Sequence, residues 1–212
     1  MDILPTLQYF FIGSLLGLTA GISPGPLLTL VIAQTIKHNK QEGIKIAISP
    51  LITDLPIILL TAFLFIKVSQ FDVVLAIISF AGSAFLVYLG YGSIKTKGLE
   101  YATSVANPGS LKKGIVVNLL SPHPYLFWAI IGTPYVFRAY EQNVVSVVLF
   151  LASFYLFLVG SKVIVAILTS RSKVFLGQKS YLVIMKLLGV ALIVFSIILV
   201  VEGLEHLGII AH

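Results

Sequence analysis

Two four-residue stretches, Ser23-Pro24-Gly25-Pro26 and Ser121-Pro122-His123-Pro124, each lie inside a long apolar run where a continuous helix is expected and proline is unwelcome. Proline lacks an N–H and its ring collides with the carbonyl four residues back, so each stretch predicts a broken helix with backbone polar groups left over. In hydrocarbon such groups are tolerated only where they face protein or a water-filled cavity. Paired interruptions at corresponding places in two half-chains are the sequence mark of a transporter binding site.

The surrounding chain is apolar enough for that setting. Of 212 residues, 58% are hydrophobic and 10% charged, and the mean hydropathy is +1.05, far from an ordinary soluble domain. Apolar runs of about 20 residues suffice to cross a layer of roughly 30 Å. Six occur, at about 6–36, 41–67, 73–95, 111–137, 143–169 and 182–202, which predicts an all-α membrane protein of one domain. The first is expected to stay in the mature protein, because Met1 to Gln8 carries no Lys or Arg and the run is too long for a signal peptide.

A net charge of +6 raises the question of nucleic acid, but its placement points to a bilayer instead. Lys37, Lys40 and Lys45 flank the first connection, Lys95, Lys97, Lys112 and Lys113 the third, and Arg171, Lys173, Lys179 and Lys186 the fifth. The opposite side carries Lys67 and Arg138 with Asp2, Asp72, Glu141, Glu202 and Glu205. The positive-inside rule then puts the odd-numbered connections in the cytoplasm and both termini outside, in a cell membrane. The absence of cysteine excludes disulfides, thiolate metal sites and a thiol relay.

A polar linker, 97–110, separates residues 1–96 from 111–212, three spans each. The halves resemble one another: the quartets are 98 residues apart, and Gly82-Ser83-Ala84-Phe85-Leu86-Val87-Tyr88 matches Gly189-Val190-Ala191-Leu192-Ile193-Val194-Phe195 at three of seven positions. Three is odd, so the second half enters from the opposite face, giving an inverted 3+3 repeat with broken first and fourth helices. At about 1.5 Å per residue, Pro26 and Pro122 both lie roughly 15 Å from the cytoplasmic edge, where the breaks can meet.

Several polar residues fall near that depth. Asp54 sits about 13 positions from either end of the second span, between Pro50 and Pro56; intramembrane carboxylates usually face cavities and mark ion or substrate paths, although capping of groups freed by the prolines is the plainer use. Pro26 suits the first turn of a new half-helix beginning at Leu27, Gly25 permits close approach, and the new N-terminus offers N–H groups and a positive dipole to a carboxylate. A packing kink is the alternative. Asn118 and Ser121 share a helical face, ahead of Pro122, His123 and Pro124; they fit ligand binding or helix bridging equally, and His123 fits a titrating group or a satisfied neutral donor. Lys162, within the fifth span, either snorkels to the interface or pairs with Asp54. Tyr125, Phe127 and Trp128 read chiefly as packing, and Gly82, Ala84, Gly189 and Ala191 as close-packing positions. No second histidine or carboxylate stands at ligand spacing, so no metal site is expected.

With Ser23 to Pro26 in the first span, Asp54 in the second, the segment from Gly82 to Gly90 in the third and Asn118 to Pro124 in the fourth, the chain resembles the lysine exporter (LysE/RhtB) family over nearly its whole length. That family has a Pro-Gly-Pro element in its first helix, an embedded acid in its second and an Asn-x-x-Asn-Pro-Lys-like element opening its second half. Here Ser121 replaces the second Asn and His123 the Lys. The resemblance implies export of amino acids or related small metabolites, driven by protons.

The expected protein is therefore an efflux transporter, with no cofactor and no catalysis. Substrate binding falls to Ser23, Pro24, Gly25, Pro26, Leu27, Asn118, Ser121, Pro122, His123 and Pro124; Asp54 binds a proton or the substrate's ammonium, and Lys162 is its ion-pair partner in one reading. Its partners are an amino acid-like solute, protons and the bilayer, with a homo-oligomer left open. The rivals are an inorganic-ion or metal exporter on the same scaffold, an intramembrane enzyme using Asp54 and His123, and a non-transporting membrane subunit.

Overall fold

The computed structural model describes residues 3–64, 68–95, 108–173 and 178–210; the end of the second span at 65–67 and linker residues 96–107 lie outside the described residues. All of the regular structure described is helical. The first apolar run forms α1 (Ile3–Ile22) and α2 (Pro26–Lys37), which meet at a 61° bend. Next come α3 (Lys40–Ala47), α4 (Pro50–Leu64) and α5 (Val68–Ile94). The fourth run divides into α6 (Ser110–Leu119) and α7 (Pro122–Phe127), continues through a π-helical turn at Trp128–Gly132 and ends in α8 (Thr133–Gln142), with a 56° bend at the break. Two long helices close the chain, α9 (Val144–Lys173) and α10 (Gln178–His206).

Four apolar helices are long enough to cross a bilayer unaided, at Lys40–Thr61, Leu75–Ile94, Val144–Ser172 and Leu182–His206, and the two bent pairs bring the number to six. Large apolar side chains such as Leu59, Ile77, Leu156, Ile164, Leu187 and Ile197 project outward along these helices. In water they would form patches far larger than soluble proteins expose; in lipid they need no cover. This is an all-α, multi-pass membrane protein.

Each bend follows from its prolines. Pro26 opens α2 and Pro122 opens α7, each as the first helical residue, where a missing N–H leaves no carbonyl wanting. The helix restarts at the second proline of one quartet and at the first of the other. A third, gentler joint falls at Ile48–Ser49: Pro50 cannot donate to the Ile46 carbonyl, and Ser49 does so instead through its N–H at 3.0 Å and its hydroxyl at 2.8 Å.

Two helix pairs form the frame. α1 packs along α9 through Gly13, Gly17 and Gly21, spaced four apart on one face; a Cβ at any of them would strike α9, at Phe150 and Ser153, Phe154, and Leu158 and Ser161 in turn. Helices in lipid associate through this kind of small-residue face. α5 packs along α10, where a Cβ on Gly90 would lie 2.8 Å from the Gly189 carbonyl and one on Gly189 would lie 2.7 Å from that of Gly90. Gly82 rests on the Leu120 carbonyl at the second break, whereas Ala84 faces outward and makes no such contact. Between the pairs, Ile57, Leu75, Tyr125, Trp128, Phe154 and Leu158 form a continuous apolar cluster.

Candidate functional site

The two breaks enclose a cavity of about 390 Å³. Ser23, Pro24, Gly25, Pro26 and Leu27 line it from the first break, Asn118, Ser121, His123 and Pro124 from the second, and Asp54 and Lys162 from α4 and α9. Pro122 is buried behind the wall and does not line it. The remaining surface is largely apolar, from Phe127, Trp128, Phe154, Leu158, Phe195, Ile198 and Leu199.

At its polar centre is the Asp54 carboxylate, 4% exposed. Its Oδ1 accepts from Asn118 Nδ2 at 3.2 Å and its Oδ2 from Trp128 Nε1 at 3.4 Å. Tyr155, half-buried on α9, packs its ring beside Trp128, with ring centres 6.4 Å apart. The Asn118 amide donates in addition to Thr53 Oγ1 at 2.6 Å, tying α6 to α4 beside the acid. A buried carboxylate is costly unless its lone pairs are satisfied, and these donors hold this one in a fixed orientation at the cavity wall.

Local sequence explains how the indole reaches it. Pro134 has no N–H for the Ile130 carbonyl, and the chain widens into the π turn, in which Thr133 N–H reaches back five residues to the Trp128 carbonyl. Gly132 carries no Cβ, which would collide with the Trp128 ring. The indole therefore lies back over Gly132 and stacks edge-on against Phe154, with ring centres 5.4 Å apart. Such π turns occur frequently at functional sites.

The two break ends differ chemically. At α2 the Gly25 cap is extended, with no side chain capping the turn, and Leu27 and Leu28 present N–H groups with no carbonyl behind them in the helix. That end and its dipole suit an anion. α7 is one and a half turns long and has proline at its first and third positions, leaving only the His123 N–H at its start. The Leu119 carbonyl released there is taken up by the Tyr125 hydroxyl at 2.8 Å.

Lys162 does not snorkel. Its side chain is 4% exposed, and the ammonium donates to the Ala20 carbonyl at 3.1 Å and the Gly21 carbonyl at 3.0 Å, the free C-terminal end of α1. Asp54 lines the same cavity from α4, with no ion pair formed between the two side chains. His123 is turned outward, with Nε2 3.7 Å from Glu202 Oε1 and Nδ1 3.5 Å from Ser121 Oγ.

Sequence reading missed Thr53, Tyr155 and Glu202 and took Trp128 for packing. Tyr155 had one available signal: it stands seven residues before Lys162, two turns along the same face of α9. Glu202 had none, since the fold alone brings the end of α10 to the second break.

No curated protein and no solved structure matches this chain. The family model of the LysE type translocators does, over residues 18–203, a stretch that contains both breaks, Asp54, Lys162 and every wall of the cavity. The chain belongs to the LysE type translocator family.

Proposed function

We propose that this translocator is a proton-coupled secondary transporter that exports amino acids or closely related small metabolites by alternating access. The observation that carries the reading is the meeting, in one cavity, of an anion-binding helix end at Gly25 to Leu28 and a fixed carboxylate at Asp54. A zwitterion carries the two complementary charges, so its carboxylate lies at α2 and its ammonium at Asp54. The apolar wall receives the rest of the solute. The volume falls in the range of small-molecule sites, roughly 300–1,000 Å³.

The movement is a rocking of residues 1–96 against 111–212 as an inverted repeat. The packing of α1 on α9, answered by that of α6 on α3 and α4, supports a two-fold relation between the halves. The chain lies in the cell membrane with its basic connections in the cytoplasm and both termini outside.

The test is flux in proteoliposomes, using a panel of labelled neutral and cationic amino acids under an imposed pH gradient. Loss of a charged hydrogen-bonding partner removes about 1.5–3 kcal/mol of interaction, so Asp54→Asn is expected to lower flux by roughly tenfold or more. Unchanged flux with unchanged pH dependence would overturn the role assigned to Asp54.

A further inference from the structure

The buried ammonium of Lys162 occupies an unusual seat. It closes the carbonyl end of a broken helix, through Ala20 and Gly21, in the cavity that Asp54 lines from α4. In transporters with interrupted helices, half-helix C-terminal ends and unwound carbonyls are where a coupling cation is held. Here that place is filled by a cation covalently tethered to α9.

We propose that Lys162 is the resident cation of this site and the carrier of the coupling proton, leaving Asp54 to receive the substrate's ammonium. This rests on the transporter reading and divides between two residues the roles that reading leaves to Asp54. When Nζ gives one proton to cavity water, hydronium departs and a neutral amine with two N–H groups and a lone pair remains. Hydrogen bonds from a charged donor are about twice as strong as those from a neutral one, so the hold of α9 on the end of α1 loosens, and protonation from the other side restores it. The groups that share the cavity with the ammonium are few: Asp54 from α4, the carbonyl end of α1 to which it donates, and the amide end of α2 across the break. His123 stands farther along the wall, engaged with Glu202. No metal ion is required for the cycle.

The chain has no cysteine, so a single one can report on the break. Ser23→Cys is placed in proteins carrying Lys162, Lys162→Met or Lys162→Arg, and its labelling by a membrane-impermeant maleimide is normalised to the rate at Glu141→Cys, an exposed position near the end of α8. With Lys162, the normalised rate is expected to rise about threefold or more as the charged hydrogen bonds are lost at high pH, equally in sodium and in potassium. With Met it is high and flat; with Arg it is low and flat, because guanidinium keeps its proton. A pH response that persists in Lys162→Arg, or a flat rate with Lys162, overturns the proposal, and if the Met protein fails to fold the Arg comparison decides. Flux, measured in the corresponding proteins that keep Ser23, separates the two readings. Gradient-driven flux retained in Lys162→Arg refutes the proton assignment alone, whereas pH-responsive labelling without any flux in the Lys162 protein refutes the transporter reading.

Discussion

Trp128 is the only tryptophan in the chain, and its indole N–H touches the carboxylate to which we assign the substrate's ammonium. Fluorescence excited selectively in tryptophan, beyond the absorption of the nine tyrosines, therefore reports on this cavity. Addition of a transported solute is expected to change the emission intensity, and Asp54→Asn to shift it before any solute is added. Trp128→Phe keeps an aromatic ring against Phe154 and deletes the donor. The folded protein is expected to lose about 2–4 kcal/mol, because a hydrogen bond to a charged group goes and the smaller ring leaves space in a fully buried seat, while flux falls as well, because the carboxylate is then free to turn. Thermal unfolding in detergent and flux in proteoliposomes measure the two effects separately. Gly25 permits an equally clean separation. Its backbone is extended, a conformation open to any residue, and a Cβ there meets nothing within 4 Å. Gly25→Ala should leave stability within about 0.5 kcal/mol of the parent yet reduce flux, since the methyl group stands where a carboxylate approaches the Leu27 and Leu28 amides.

Among the helices, the α1–α9 contact tolerates least. Gly17 lies against the backbone of Phe154, and a side chain there pushes the helices apart along their whole length. Overpacking of this kind is worth typically about 1–3 kcal/mol, so Gly17→Leu is expected to lower the melting temperature markedly and to reduce the yield of folded protein. The contrast with Gly25 shows which features were legible beforehand. Both breaks could be read from the chain because the missing proline N–H is a covalent fact that needs no tertiary context. Asp54 could be read because a charge in an apolar run has few permitted uses. The glycines of α1 stood in view at four-residue spacing and were passed over for a weaker pattern in α5 and α10. The point of helix restart could not be read, since either proline of a quartet suits a first turn. The seat of Lys162 could not be read for a related reason: the carbonyls that hold the ammonium belong to a neighbour whose end exists only because α1 stops. The indole of Trp128 depended on a widened turn, set by Pro134 and Gly132, which no helical periodicity reveals.

Across the molecule, the basic ends of α2, α3 and α6 are drawn together. Gln34 Oε1 accepts from Ser110 Oγ at 3.4 Å, and the buried Glu42 accepts from Lys45 Nζ at 2.6 Å. The proposed alternating access predicts that the cavity opens toward the basic side at this point. Gln34→Cys with Ser110→Cys in the otherwise cysteine-free chain is expected to abolish flux on oxidation and to restore it on reduction, and flux that survives cross-linking would argue against opening at this end. The unequal ends of α2 and α7 carry a consequence for the solute as well. With two amides at one break, a single amide at the other and Asp54 in the same lining, a zwitterion held at both charges as proposed is expected to turn its third substituent toward the apolar Phe127, Phe154 and Leu158 side. The mirror-image solute would drive that substituent into the polar wall. Left- and right-handed forms of one amino acid should therefore cross at different rates, and a racemate offered to the carrier should emerge enriched in one hand.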